Sequence, residues 1–510
     1  MVHSGPGDLV HNSAMPAHPP AVPISATPSM SLERAREIAA SFDLRALPDD
    51  FYANPYPVYD ALRQQEPVRR MPDGSWFLTR HADLGAVYRD AYTFSSDKKV
   101  EFGPKYNHAP FGSDNNAPSG KGNLASLHGG APNAPLFEHH TSSLVFNDPP
   151  LHSRVRKLIM GALSRRAIDD LEPGLITLVD GLLDRIALNG GGDLIEDFAS
   201  AIPVEIIGNL LGVPHADRGP LRGWSLAILG ALEPKLTPEQ EALGNRSVTE
   251  FTAYLKRLVA ERRKHPGDPQ HDVLTRLIQG DARQSTSTSI STSAAGKAAT
   301  ATGGAGQAHQ PTSGEHLSEV ELLQNCIFIL NAGHETTTNL IGNALVALHE
   351  WPDEKSRLVL NIEQTIHIGQ GKSSDLALAI DEFLRFESSN QLSNRRALKA
   401  CTIGGVDMEE GALLTLCIGA ANRDPAQFAN PNVLDLGRGD ERLGQPANRH
   451  LAFGFGIHQC AGLSLARLEG RIAIGRFLQR FPNYRLTAAP LRGGRARFRG
   501  FLQAPFAVSP

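Results

Sequence analysis

Cysteine is scarce in this chain of 510 residues: Cys326, Cys401, Cys417 and Cys460 are all there are, widely scattered and without a C-x-x-C pair. Zinc ribbons, thiolate-held iron–sulfur clusters and a disulfide scaffold are thereby excluded, and a reducing, cytoplasmic compartment is expected. An excess of charge is missing too. Lys plus Arg minus Asp plus Glu is 50 − 54 = −4, which gives no basis for binding nucleic acid or an anionic membrane. No apolar run reaches the roughly 18 residues that a membrane span needs, and residues 1–30, rich in Pro, Ala and Ser, lack the apolar centre of a signal peptide. They read as a disordered tail. What remains, 41% hydrophobic and 20% charged, suits an ordinary globular protein, read here as one domain over residues 31–510.

Helical spacing dominates that domain. Leu32, Ala35, Ile38, Ala39 and Phe42 form a stripe, Tyr56–Gln65 a second helix, and Val68–Met71 with Trp76–Thr79 flank Pro72-Asp73-Gly74 as a β-hairpin. Between Ser95 and Phe146 the chain loses periodicity and becomes rich in Gly, Pro, Asn and His, a composition expected at the wall or entrance of a pocket. Apolar residues at three and four spacing then predict helices over Ile168–Ala187, Leu194–Leu211, Leu221–Leu232 and Ser247–Lys264. Asp281–His316 holds almost no large apolar residue and reads as a disordered surface insertion. Next, Ser318 and Glu321 form a capping box ahead of an apolar pattern that runs from Leu322 to Leu348 and stops before Pro352. About 30 residues at 1.5 Å each span roughly 45 Å, enough to cross the domain.

Two stretches carry chemistry. In Phe453-Gly454-Phe455-Gly456-Ile457-His458-Gln459-Cys460-Ala461-Gly462, glycines deliver a cysteine to the start of a helix marked by Leu465, Leu468, Ile472 and Leu478. Unpaired N–H groups and the positive dipole end favour a thiolate there, Gly456 suits a positive φ, Gly462 admits a flat ligand, and Phe453 packs beside it. The geometry suits a thiolate aimed at a planar metal cofactor such as haem. A dinucleotide loop fails because Gln459 stands where the last glycine is needed, and a nucleophile elbow around Ser464 fails at Ala466. In the second stretch, Ala332-Gly333-His334-Glu335-Thr336-Thr337 interrupts the long helix with polar residues, whose burial is costly unless they serve a local purpose.

The chain resembles the cytochrome P450 family, whose haem loop Phe-x-x-Gly-x-x-x-Cys-x-Gly is filled by Phe453, Gly456, Cys460 and Gly462. The resemblance implies a mainly α fold with small β-sheets around a buried haem b (iron protoporphyrin IX), with Cys460 as axial ligand of the iron. Ala332, Gly333, Glu335 and Thr336 match the family's oxygen-activation pattern: the small pair leaves room for O2, while Thr336 and Glu335 handle protons. His152 and Arg156, at i, i+4 in Asp148-Pro149-Pro150-Leu151-His152-Ser153-Arg154-Val155-Arg156, resemble the family's propionate-binding pair. Arg395, with Arg396 as the alternative register, and His458 complete that set by the same resemblance. Glu382 and Arg385 resemble its buried structural E-x-x-R.

The implied activity is a monooxygenase that inserts one oxygen atom from O2 into a small, mostly apolar organic substrate, by hydroxylation or O-dealkylation. Electrons are expected from a ferredoxin and ferredoxin reductase, with NAD(P)H acting only indirectly, and the chain is expected to be a monomer. A peroxide-driven peroxygenase and a haem-based sensor are the alternatives, against which the pair Glu335-Thr336 stands. Arg467 with Arg471, and Arg154 with Lys157, are expected to form a basic docking face near the thiolate. The 281–316 insertion, the loop around residues 100–140 and the tail depart from the family pattern and leave substrate access open.

Overall fold

The structure, a computed structural model, describes residues 30–97, 134–280, 317–367, 374–438 and 449–508. The expected tail, most of the Gly- and Asn-rich loop and the 281–316 insertion lie outside the described residues.

The central helix Glu319–Glu350 organises the packing. Ser318 Oγ accepts from the Glu321 N–H at 3.2 Å and the Glu321 carboxylate accepts from the Ser318 N–H at 2.8 Å, so the capping box closes in both directions. Thirty-two residues span about 48 Å at 1.5 Å each. Nearly every position from Leu322 to Leu348 is buried, because helices Pro135–Ser142, Ala201–Leu211, Leu221–Gly230, Pro238–Lys264 and Leu463–Arg480 all pack on this one rod. Among the described residues the largest sheet has five strands in the order Val68–Arg70, Trp76–Leu78, Leu413–Cys417, Leu392–Ala397 and Phe94–Ser95. The expected hairpin is its edge, with Val68 opposite Leu78.

Several boundaries differ from the sequence expectation, each for a local reason. Residues 134–146 are not loop: Pro135–Ser142 is a helix with proline in its first turn, followed by a 3₁₀ turn Leu144–Phe146. Its eight residues include Glu138, His139, His140 and Thr141, which mask the apolar period. The helix expected from Ser247 begins at Pro238, where Thr237 and Gln240 make a capping box whose polar first turn carries no hydrophobic stripe. Leu194–Leu211 divides into a π-helical segment Leu194–Ala199 and an α-helix from Ala201. The short strands Phe94–Ser95 and Gly191–Asp193 are too brief for alternation to reveal.

Glu382 and Arg385 form the buried pair that the E-x-x-R spacing suggests. Arg385 donates to both carboxylate oxygens at 2.7 and 2.8 Å, and neither side chain is exposed. Arg385 also donates to the Asn422 and Pro431 carbonyls at 2.9 and 2.8 Å, and Arg438 joins Glu382 at 3.1 Å. These bonds tie helix Ser374–Phe386 to the irregular chain that leads toward Cys460.

Candidate functional site

Between the central helix and the cysteine loop lies a cavity of about 340 Å³. Its walls come from residues far apart in sequence: Phe146 and Ile159, Leu210 and Leu229, Phe328, and Phe498. The lining is chiefly apolar, which suits a small organic guest.

The cysteine loop reaches this cavity through a tight turn. Gly456 has φ +72°, and a Cβ there would stand 2.2 Å from the Tyr88 carbonyl oxygen, so glycine is required on both grounds. The Cys460 N–H donates to the Phe453 carbonyl at 2.8 Å, and helix Leu463–Arg480 starts just beyond Gly462. Phe453, Cys460 and Gly462 line the cavity, whereas Gly456 shapes the turn behind it. Burial, the larger influence, pushes the Cys460 thiol up, and the Gly462 N–H, Arg156 and Arg467 pull it only partly back. A metal cation at the sulfur reverses that balance, since a coordinated thiol is deprotonated outright.

On another wall stand His152, Arg156, Arg395 and His458. The His152 and His458 rings lie 4.2 Å apart, and both His152 nitrogens are buried without a hydrogen-bond partner among the described residues. Burial first, then His458 and Arg156, lowers His152 to about 4; burial also lowers His458. Of the two candidate arginines, Arg395 lines the cavity, its Nη1 donating to the Asn394 carbonyl at 2.7 Å. Arg396 does not. Two arginines and two imidazoles, the latter with buried unpaired nitrogens, form a cradle suited to an anionic edge; they would hold the propionates of a haem, with Cys460 as the ligand of its iron.

The central helix contributes Ala332, Gly333 and Thr336 to the same cavity. Thr336 Oγ donates to the Ala332 carbonyl at 2.7 Å. Gly333 has a packing reason that the sequence did not disclose: a Cβ there would meet Ile207 Cδ1 at 2.6 Å. Glu335 points elsewhere. It accepts from Arg495 Nη1 at 2.5 Å in a second, smaller pocket with His334, Arg222 and Asn339, where burial raises its carboxyl and Arg495 partly offsets the rise. Thus the structure brings Thr336 and Cys460 to one cavity and places Glu335 behind the helix. Sequence reasoning missed His139, Asn331 and Glu469, which also line the cavity; His139 sits in the stretch read as loop. The basic face near the sulfur is largely neutralised: Arg467 pairs with Asp381 at 2.8 Å, Arg471 with Glu172 at 3.4 Å, and Arg154 with Glu321.

The family model described as Cytochrome P450 matches residues 234–488. The "Biotin biosynthesis cytochrome P450" of Bacillus subtilis (strain 168) is 30% identical over 86% of this chain and 92% of its own length. This chain is a cytochrome P450. The "Cytochrome P450 monooxygenase PikC" of Streptomyces venezuelae is also 30% identical, over 88% of this chain and 89% of its own. Among solved structures, that of P450BioI in complex with hexadec-9Z-enoic acid ligated acyl carrier protein aligns with a TM-score of 0.71 at 28% identity, covering 90% of this chain and 100% of that one. The mainly helical fold with small sheets is therefore a P450 fold, and the protein is a monooxygenase of the oxidoreductase class that uses a haem-thiolate cofactor and O2. Among the described residues no helix is long and apolar enough to cross a membrane.

Proposed function

We propose that this cytochrome P450 inserts one oxygen atom from O2 into a small, mostly apolar organic molecule, by hydroxylation or O-dealkylation, with electrons from a separate ferredoxin and its reductase. The observation that carries the reading is the meeting of Cys460, the two arginines Arg156 and Arg395 with the imidazoles of His152 and His458, and Thr336 around one chiefly apolar cavity.

Bound haem supplies the redox chemistry of dioxygen cleavage, and the protein supplies placement and protons. Cys460 would provide the sulfur to the iron, and the backbone N–H of Gly462 would steady its charge. His152, Arg156, Arg395 and His458 would hold the propionates and orient the macrocycle, while Phe453 and Gly462 would leave a flat face beside the sulfur. Ala332 and Gly333, small side chains in the cavity wall, would leave room for O2, and the apolar walls exclude water. Thr336 Oγ holds a proton at the cavity edge, able to donate it while accepting another. Glu335, buried and held by Arg495, is the reservoir behind the helix from which that hydroxyl is resupplied.

Reconstitution with a ferredoxin, its reductase and NADPH on a panel of apolar compounds tests this reading. Product should carry one atom from isotopically labelled O2. Product labelled only from water, or turnover with peroxide alone at the full rate, would contradict it.

A further inference from the structure

Among the polar residues set into the chiefly apolar lining, one on the central helix is held by a continuous chain of hydrogen bonds. Asn331, directly before Ala332, lines the cavity yet is 2% exposed, and its Oδ1 has no hydrogen-bond partner among the described residues. Its orientation follows from a chain of bonds that begins at the surface. The exposed Glu138 carboxylate accepts from Gln324 Nε2 at 3.4 Å, which turns Gln324 Oε1 toward His139 Nδ1 at 3.0 Å. Ser143 Oγ donates to the His139 carbonyl at 2.5 Å, so its oxygen, 3.2 Å from Nδ1, also faces His139 as an acceptor. Both neighbours require the proton on Nδ1. His139 Nε2 is then the acceptor, taking Asn331 Nδ2–H at 3.5 Å, and the amide oxygen is the atom left over. Burial keeps His139 neutral at ordinary pH, lowering it to about 4. The chain from Glu138 through Gln324 and His139 to Asn331 therefore presents an acceptor, polarised at its far end by a carboxylate.

We propose that Asn331 is a specificity-determining residue: its Oδ1 accepts a hydrogen bond from a neutral donor, such as a hydroxyl, at one end of an otherwise apolar substrate. The proposal rests on the monooxygenase reading above and narrows its substrate class. A buried acceptor left unpaired is costly, so a guest that supplies the missing donor is preferred over one of equal size that does not. Thr336 lies five residues further along the helix, about 7.5 Å along its axis at 1.5 Å per residue. The bound molecule is thus long enough to keep its donor at Asn331 while a C–H bond sits beside Thr336.

The test uses the purified holoenzyme and matched probes: n-hexanol, n-octanol and n-decanol, each beside its methyl ether, which keeps the oxygen and lacks the donor. Affinity is read from displacement of the water on the ferric haem. The parent should bind at least one alcohol about fivefold more tightly than its ether, the worth of one neutral hydrogen bond. In Asn331→Leu that preference should vanish while the ether binds at least as well as in the parent. Should Asn331→Leu fail to load haem, Asn331→Ala takes its place with the same expectation. Equal affinities in the parent, a preference that survives the substitution, or no binding of any probe overturns the proposal. Absence of a thiolate-ligated spectrum in the parent sinks the underlying reading instead, which keeps the two failures apart.

Discussion

Thr336 and Glu335 are chain neighbours that face different spaces, because successive helix positions diverge by about 100°. The sequence motif makes both legible as a functional pair, but which one meets the cavity depends on helix rotation set by packing, as at Gly333 against Ile207. With Thr336 at the cavity and its hydroxyl on the Ala332 carbonyl, Thr336→Ala should keep haem content and substrate affinity while diverting reducing equivalents to peroxide or water. Unchanged coupling of NADPH use to product would remove the hydroxyl from the mechanism. His334, next to Glu335, is buried with neither ring nitrogen hydrogen-bonded among the described residues, and burial, then Arg222, lowers it to about 3. An unfolded histidine binds its proton near pH 6.5, so from there down to about pH 3 the unfolded chain holds a proton that the folded one refuses. Stability contributed by neutral His334 is complete above that window and falls as pH falls through it, each unit of depression corresponding to about 1.4 kcal/mol. The loss of melting temperature between about pH 7.5 and about pH 5 should be smaller in His334→Leu than in the parent. An identical loss in both would mean that His334 is not held neutral.

At the scale of elements, the central helix and the E-x-x-R were readable because long period and fixed spacing survive any tertiary context. The capping box at Ser318 and Glu321 closes as its spacing requires. The helix Pro135–Ser142 was not readable, since short helices owe their stability to what they pack on, and here that is the central helix together with Pro238–Lys264. With it went His139, whose partners Gln324 and Asn331 lie nearly two hundred residues away. The Glu382–Arg385 pair makes the sharpest energetic prediction. Removing the guanidinium leaves a carboxylate at 0% exposure with Arg438 and the Asp435 N–H as its partners and frees the Asn422 and Pro431 carbonyls. Arg385→Met should lower stability by about 3–5 kcal/mol in denaturant unfolding, the usual result of breaking one partner of a buried pair. A loss under about 1 kcal/mol would reduce the pair to the surface type.

For the whole molecule, the glycine-punctuated cysteine loop announced the family and the chemistry, whereas charge pairing across elements could not be read. Arg467 and Arg471 looked like a free basic face, yet Asp381 and Glu172, from other helices, meet them. Helix register fixes which arginines share a face but says nothing of which acids arrive from elsewhere. The fold converges on one sulfur: the buried pair anchors the chain that leads to it, the two arginines and two imidazoles share its cavity, and the central helix covers that cavity. The reduced carbon monoxide complex reports that sulfur directly. The parent holoenzyme should show the long-wavelength Soret band of a thiolate-ligated haem, Cys460→Ser should lose it, and Cys326→Ser, Cys401→Ser and Cys417→Ser should each retain it. Retention of the band in Cys460→Ser, or its absence from the parent, would contradict the assignment on which the whole account stands.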